Sequence, residues 1–297
     1  MKKIFYYNTV LSLGVLLLTA SCGGGGNDAD KREDLKDITV VDSTPPTNNS
    51  ETNLYTLPSP MQIANILKKA GLKYYPGLTN STDNYSKYNI SNTVNKTLVM
   101  GVYLSDLSYC MLNKQTDEGK KYFKTCTQLS ESIGLAKAFQ DNNVPMRLEK
   151  NMNNDDSVSN IMSEIQLQSD NMLEENQQEY ISAIAFTGAW IECMYIGTQV
   201  YAKEKNVNVA TNIVEQMGIA ENIIKALGAT SSRDADVTVL LQDMNTLNSM
   251  YNNFKSVKEI KATDPDVIDP AKIIITIDEL LGFSKKTEEI RARIIKG

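Results

Sequence analysis

The chain contains no histidine among its 297 residues. This absence excludes Ser-His-Asp and Cys-His nucleophilic catalysis, the common zinc sites and the Glu-x-x-His di-iron signature of helical bundles. Chemistry based on carboxylates, lysine or tyrosine stays open, but histidine is the most frequent general base in enzymes. The composition therefore favours a protein that is not an enzyme, and it predicts no cofactor.

Cysteine is also scarce, with four residues and no CxxC spacing typical of a metal site. Cys110, Cys126 and Cys193 lie in apolar helical patterns, which predicts that they are buried in the core. An oxidising compartment would permit a Cys110–Cys126 disulfide. The turn predicted between their two helices leaves these cysteines out of register, so the geometry for such a bond is poor.

Clusters of basic residues are absent as well. The net charge is −6, and it becomes −8 if Lys2 and Lys3 are removed with a signal peptide. An acidic chain without a basic cluster is a poor partner for nucleic acid and for an anionic lipid surface. We therefore predict no nucleic-acid partner.

The N-terminus carries the clearest motif of the chain. Lys2 and Lys3 precede an apolar run, residues 10–18, which is shorter than the ~20 residues that span a membrane as a helix. Small residues then lead to Cys22. This pattern indicates a signal peptide over residues 1–21 that ends in a lipobox, so Cys22 is predicted to be acylated and to anchor the protein. An ordinary cleaved signal with an unrelated cysteine is the alternative.

Residues 22–58 are predicted to form a disordered tether. They are rich in Gly, Asp, Asn, Ser, Thr and Pro and offer few apolar side chains to bury. A flexible coil of this length spans about 30–35 Å root-mean-square, enough to hold a folded domain clear of lipid headgroups. The residue directly after the cysteine is Gly23 rather than Asp, and in this the chain resembles lipoproteins that are sorted to the outer membrane.

From Pro60 onward the apolar pattern is helical, which predicts a single all-α domain over residues 59–297. Asp269-Pro270 provides an N-cap and a first-turn proline for the last helix. The one strand-like run, Ile273–Ile277, has no partner strand and is interpreted as a buried helical face. The predicted helices cover residues 60–70, 96–114, 117–140, 156–176, 178–204, 207–228, 233–260 and 270–295.

Three short segments recur in the same order, at an offset of about 80–87 residues. The aligned pairs are 101–104 with 188–191, 127–136 with 211–220, and 158–165 with 237–244. Ordered matches of this kind indicate an internal duplication. We therefore predict two copies of a three-helix unit, over about 98–177 and 185–260.

Two family resemblances follow from these motifs. The segment 98–135, with Gly101, its tyrosines and Gly134, resembles a tetratricopeptide (TPR) hairpin without that family's Trp and Pro marks, which implies a TPR-like α–α bundle. The chain as a whole resembles all-helical lipoproteins of the Bacteroidota envelope, on its lipobox, its tether, and the segments 57–60, 71–74 and 101–110. That resemblance implies a cell-envelope location, with the protein anchored by lipid to the outer membrane, and no activity.

Asp106 and Glu192 are the candidate functional residues, because each lies within a central apolar helix. One interpretation is that a tyrosine hydroxyl or a lysine satisfies each acid and fixes helix register. The other is that both acids face a cavity that binds a small polar ligand. That candidate pocket consists of Tyr103, Asp106, Tyr109, Trp190, Glu192 and Tyr195. Hydrolysis of a sugar by the two carboxylates is the enzymatic alternative.

Other polar and aromatic segments predict no further site. The acidic stretch Asn151–Asp156 is interpreted as a helix N-cap, so no metal site is predicted. Tyr74 and Tyr75 either dock a turn onto the core or form an exposed recognition patch. The resulting hypothesis is a lipid-anchored binding or scaffold protein, whose partners are the membrane, through its lipid, and an envelope protein or small ligand.

Overall fold

The computed structural model describes residues 57–83, 85–231, 234–263 and 272–296. All of them belong to one compact unit, Thr52–Gly297. Within these ranges the chain forms α-helices and no strand, so the all-α prediction is confirmed. The predicted signal peptide, Cys22 and nearly all of the predicted tether lie outside the described residues.

The helices run in chain order from α1 to α11, with two short 3₁₀ helices, Tyr85–Ile90 and Asp141–Asn143, between them. Their bounds are α1 (Pro60–Lys69), α2 (Thr93–Leu112), α3 (Thr116–Ser132), α4 (Ala136–Gln140), α5 (Val144–Asn151), α6 (Asp155–Glu175), α7 (Tyr180–Glu204), α8 (Val207–Gly228), α9 (Ala235–Asn252), α10 (Lys255–Thr263) and α11 (Ile277–Lys296).

The apolar helices α2 and α7 pack against each other at the centre, and α1, α3, α8 and α11 surround them. Two glycines permit this close approach. A Cβ atom at Gly101 would lie 1.8 Å from the carbonyl oxygen of Ala185, and one at Gly188 would lie 2.2 Å from that of Leu98. Any side chain at either position would therefore push the two backbones apart.

The glycine contacts bear on the predicted duplication. The offset of 87 residues that relates Gly101 to Gly188 also relates Leu98 to Ala185, so each contact is the counterpart of the other. Two copies of one unit would form such an exchanged pair. However, α4 and α5 lie between α3 and α6, and the described residues between α8 and α9 form no matching helices. The duplication and the TPR-like arrangement stay predictions.

Two predicted helices are each divided in the structure. The helix predicted over 117–140 ends at Ser132, because Gly134 adopts a φ of +79° and turns the chain into α4. The helix predicted over 233–260 is broken between α9 and α10. There the backbone N–H of Lys255 donates to Glu279 of α11, at 2.6 Å, instead of continuing the α9 ladder.

The last helix begins seven residues later than predicted, at Ile277. Thr276 and Glu279 form a capping box, in which each side chain accepts a hydrogen bond from the other residue's backbone N–H. The preceding residues 273–276 are irregular and Ile274 is 76% exposed, so the interpretation of Ile273–Ile277 as a buried helical face was wrong. The predicted start at Asp269-Pro270 lies outside the described residues.

Candidate functional site

Asp106 of α2 and Glu192 of α7 are both fully buried, and one asparagine contacts both of them. Asn80, in the loop before the first 3₁₀ helix, donates from Nδ2 to Asp106 Oδ2 at 2.8 Å and to Glu192 Oε1 at 3.2 Å. Its backbone N–H also donates to Asp106 Oδ2, at 3.0 Å. The two acids therefore meet in one cluster, as the pocket hypothesis required, but a loop residue closes it.

Arg291 of α11 supplies the positive charge of this cluster. Its Nε and Nη2 donate to the two oxygens of Glu192 at 2.6 and 2.9 Å, a bidentate pair. Nη2 also donates to Asn80 Oδ1 at 2.9 Å, and the guanidinium lies 4.0 Å from the ring centroid of Tyr195. We call Asn80, Asp106, Glu192 and Arg291 the buried polar cluster.

The cluster holds two carboxyl groups and one guanidinium, so one proton makes it neutral. Burial, and then the charge of Glu192, raise the pKa of Asp106 well above its usual value, although the hydrogen bonds from Asn80 oppose this. Burial also raises the pKa of Glu192, but Arg291 opposes it directly. Arg291 thus stabilises the ionised form of Glu192 more directly than that of Asp106, so Asp106 is the acid that is more readily protonated.

Two of the tyrosines predicted to line a pocket, Tyr103 and Tyr109, instead fasten the loop that closes the cluster. Tyr103 donates to the carbonyl oxygen of Ser81 at 2.6 Å, and Tyr122 of α3 donates to that of Asn80. Tyr109 donates to the carbonyl oxygen of Lys73 at 2.8 Å and accepts from the backbone N–H of Tyr75 at 2.7 Å. Burial raises the pKa of each of these three tyrosines, so they remain neutral donors.

The six predicted pocket residues are therefore only partly brought together. Asp106, Glu192 and Tyr195 meet at Arg291, while Tyr103 and Tyr109 hold the loop. Trp190 faces away from the cluster and donates to the carbonyl oxygen of Gln216 on α8 at 3.3 Å. None of the six lines the cavity beneath α6 or the groove between α2, α9 and α11, which are both described below. A substrate could reach the acids only if Asn80 and Arg291 moved.

The remaining sequence hypotheses have plain structural outcomes. Cys110, Cys126 and Cys193 are buried free thiols, as the apolar pattern predicted. Tyr74 packs on Tyr109 with ring centroids 5.3 Å apart, and the Tyr75 hydroxyl donates to Glu204 at 2.7 Å. The turn that carries Tyr74 and Tyr75 is thus docked on the core.

Three further findings concern the predicted N-cap, metal sites and membrane-spanning helices. Asn154 caps α6 by accepting from the backbone N–H of Ser157, which confirms the N-cap predicted in 151–156. Within the described ranges, no three Cys, Asp or Glu side chains are grouped as a metal site. Among the helices that the structure describes, one, α7, is long and apolar enough to cross a membrane, but 83% of its most apolar window is buried inside the body.

A cavity that sequence analysis did not predict lies beneath α6. Its volume is about 50 Å³, and its wall is mainly apolar, with Met100 and Leu104 from α2, Phe139 from α4 and Phe186 from α7. Its polar lining residues are Ser59 before α1, Gln166, Ser169 and Asp170 of α6, and Ser182 of α7. Ser59, Gln166, Asp170 and Ser182 are half-buried, so the polar part of the lining reaches solvent. We call this cavity the α6 crevice.

A second cavity, of about 270 Å³, separates the N-terminal end of α2 from α9 and the last turn of α11. Its polar groups already bind one another, because Arg293 pairs with Asp243 and Asn92 donates to Asp236. Asn95 has one buried oxygen without a partner there, but the residue itself is only half-buried. The groove is wide, and most of its polar groups already have hydrogen-bond or ion-pair partners within it.

Comparisons with protein-family models, with curated proteins and with solved structures find no match to this chain. The family resemblances drawn from the sequence therefore have no further support. The functional proposal rests on the geometry of the described residues.

Sequence analysis missed the two residues that seal the buried polar cluster. Asn80 lies in a polar loop where asparagine is unremarkable, and Arg291 lies 99 positions beyond its partner Glu192. No local pattern links them. The acidic side of the α6 crevice did have a signal: residues 151–202 contain eight Asp and Glu and no Lys or Arg.

Proposed function

We propose that this protein is a lipid-anchored binding or scaffold protein of the bacterial cell envelope. Cys22 would carry the lipid, residues 22–58 would act as the tether, and the helical body would hold a partner protein or ligand. The lipobox and tether composition support the anchor, and Gly23 supports sorting to the outer membrane.

One observation carries the choice of binding over catalysis. The two acids that a hydrolase would need are closed off by Asn80 and Arg291, whereas the α6 crevice opens to solvent with an apolar wall. A glycosidase needs its two carboxyl groups on either side of a substrate bond, with about 5–10 Å between them and room for a sugar. The envelope hydrolase based on Asp106 and Glu192 is for this reason our second hypothesis.

The anchor can be tested in cells with Cys22→Ser in the complete chain. We expect the variant to lose incorporation of a labelled fatty acid and to move from the membrane to the soluble fraction. Ser21→Ala is the matched control, because it keeps a small residue before the cysteine and should leave labelling unchanged. Membrane retention of Cys22→Ser at the level of the parent chain would refute the lipid anchor.

A further inference from the structure

The α6 crevice is too small for most free ligands. Small-molecule sites occupy about 300–1,000 Å³, whereas this cavity measures about 50 Å³. That space accepts the end of one aliphatic side chain. Protein interfaces use such pockets for a central anchor residue, which is desolvated while its neighbours contribute little.

The charge around the crevice is of one sign. Asp170 lines it, Glu174 lies one turn further along α6, and Glu175 and Glu179 follow at the α6–α7 turn. We call these four residues the acidic rim. Glu174, Glu175 and Glu179 are exposed, and among the described residues no Lys or Arg forms an ion pair with any of the four.

The polar contacts of Asp170 come from neutral groups. Its Oδ1 accepts from the Ser182 hydroxyl at 2.6 Å and its Oδ2 from the Gln166 amide at 3.0 Å. By contrast, two acids in the first half of α6 have cationic partners: Asp155 pairs with Lys114, and Glu164 pairs with Arg147. The acidic rim beside the crevice has no such ion pair among the described residues.

Together these observations identify the chemistry of a partner. We propose that the α6 crevice and its acidic rim dock a basic amphipathic segment of another protein, which inserts one aliphatic side chain and places Lys or Arg against the rim. Apolar anchoring determines how long the complex lasts, and charge complementarity speeds its formation and excludes acidic partners. This inference rests on the proposed binding function and names the partner class.

The test uses the complete mature chain, residues 22–297, with Cys22→Ser so that no lipid is present. The probe is a fluorescent 14-residue peptide with leucines at helical i, i+3, i+4 and i+7 spacing and lysines elsewhere. A second peptide replaces every lysine with glutamate. We expect fluorescence anisotropy to show binding of the lysine peptide and at least about tenfold weaker binding of the glutamate peptide.

Two substitutions separate the crevice from the charge. Ser169→Leu fills the cavity without changing any charge, and we expect at least about tenfold weaker binding. Asp170→Asn removes one rim charge, and we expect about threefold weaker binding that converges on the parent value at high salt. Glu215→Gln, at an exposed acid on α8, is the matched control and should bind like the parent chain.

Methionine methyl NMR locates the contact even if Ser169→Leu folds poorly. Met61, Met100 and Met162 line the crevice, whereas Met217 and Met244 are buried in α8 and α9. We expect the lysine peptide to shift the first three signals and to leave the last two unchanged. Equal binding of both peptides, unchanged binding by a folded Ser169→Leu, or shifts that avoid Met100 and Met162 would each refute the docking site. None of these results would affect the Cys22 labelling that tests the anchor.

Discussion

The buried polar cluster and the α6 crevice each contrast with their surroundings. The cluster is polar within the apolar core, and the crevice is apolar next to solvent. The cluster places four polar side chains in the most apolar part of the body, between α2, α7 and α11, and satisfies nearly all of their hydrogen-bonding groups. The crevice leaves an apolar wall open to solvent beneath α6, with the acidic rim beside it. A buried ion pair stabilises poorly but is costly to break, whereas an unfilled apolar wall is available to a partner. We therefore assign the cluster to structure and the crevice to binding.

The largest expected difference between the two regions is in stability. Arg291→Met would leave Glu192 as a buried charge without its partner, and removing one member of such a pair costs about 3–5 kcal/mol. Asp170→Asn in the rim should change the free energy of unfolding by less than about 0.5 kcal/mol, because its neighbours are neutral and solvent is near. Urea unfolding followed by helical circular dichroism measures both.

An arginine in a more exposed ion pair provides the control for that experiment. Arg147 of α5 pairs with Glu164 of α6, and both side chains are partly exposed. Arg147→Met should therefore destabilise the body much less than Arg291→Met does. Equal losses for Arg291→Met and Arg147→Met would mean that the cluster is hydrated, and the assignment of the two regions would fail.

The helix seam beside the cluster gives the next largest effect. Gly101→Ala should destabilise the body by about 3 kcal/mol, the upper end of ordinary overpacking costs, because the new methyl group meets the Ala185 carbonyl. Gly218→Ala, in α8, has nothing within 4 Å of the new methyl group, so its better helix propensity should stabilise by about 1 kcal/mol. The same urea titration measures both variants.

The two glycine variants are expected to have effects of opposite sign. If Gly101→Ala were neutral, α2 and α7 would be able to separate, and the seam would not hold Asp106 and Glu192 in fixed register. The cluster could then open to a ligand, which would favour the hydrolase over the scaffold.

Those parts of the fold that depend on local pattern were predicted well from the sequence. The apolar periodicity gives every long helix, and α8 begins and ends where it was predicted. Errors arose where a distant residue competes with the local signal. α10 separates from α9 where Lys255 meets Glu279 of another helix, and α11 starts late because Thr276 and Glu279 form a stronger N-terminal cap than the pattern around Ile273 indicated.

In the candidate site, too, the features that depend on local pattern were predicted and those that depend on distant residues were not. Burial of Asp106 and Glu192 follows from the apolar helices that carry them, and it was predicted. Their partners were not, since a tyrosine or a lysine was expected, and the structure supplies Asn80 and Arg291 from other parts of the chain. A buried charge requires a partner, but sequence distance gives no clue to which residue provides it.

The most specific effect is the pH dependence that Asp106 confers. The unfolded chain releases this proton near the ordinary carboxyl pKa of 3.8, whereas burial raises the pKa of Asp106 in the folded chain well above that value. Between the two values the folded chain binds more protons, so the stability due to this proton is complete at low pH and is lost as pH rises.

Asp106→Asn mimics the protonated acid at every pH. Relative to the parent chain, we therefore expect its free energy of unfolding to increase as pH rises above the ordinary carboxyl pKa of 3.8, by at most about 1.4 kcal/mol per pH unit. Urea titrations at each pH compare the variant with the parent chain. If the two curves ran parallel, Asp106 would be ionised in the folded chain, and the cluster would hold a net negative charge that a cationic ligand could enter to neutralise.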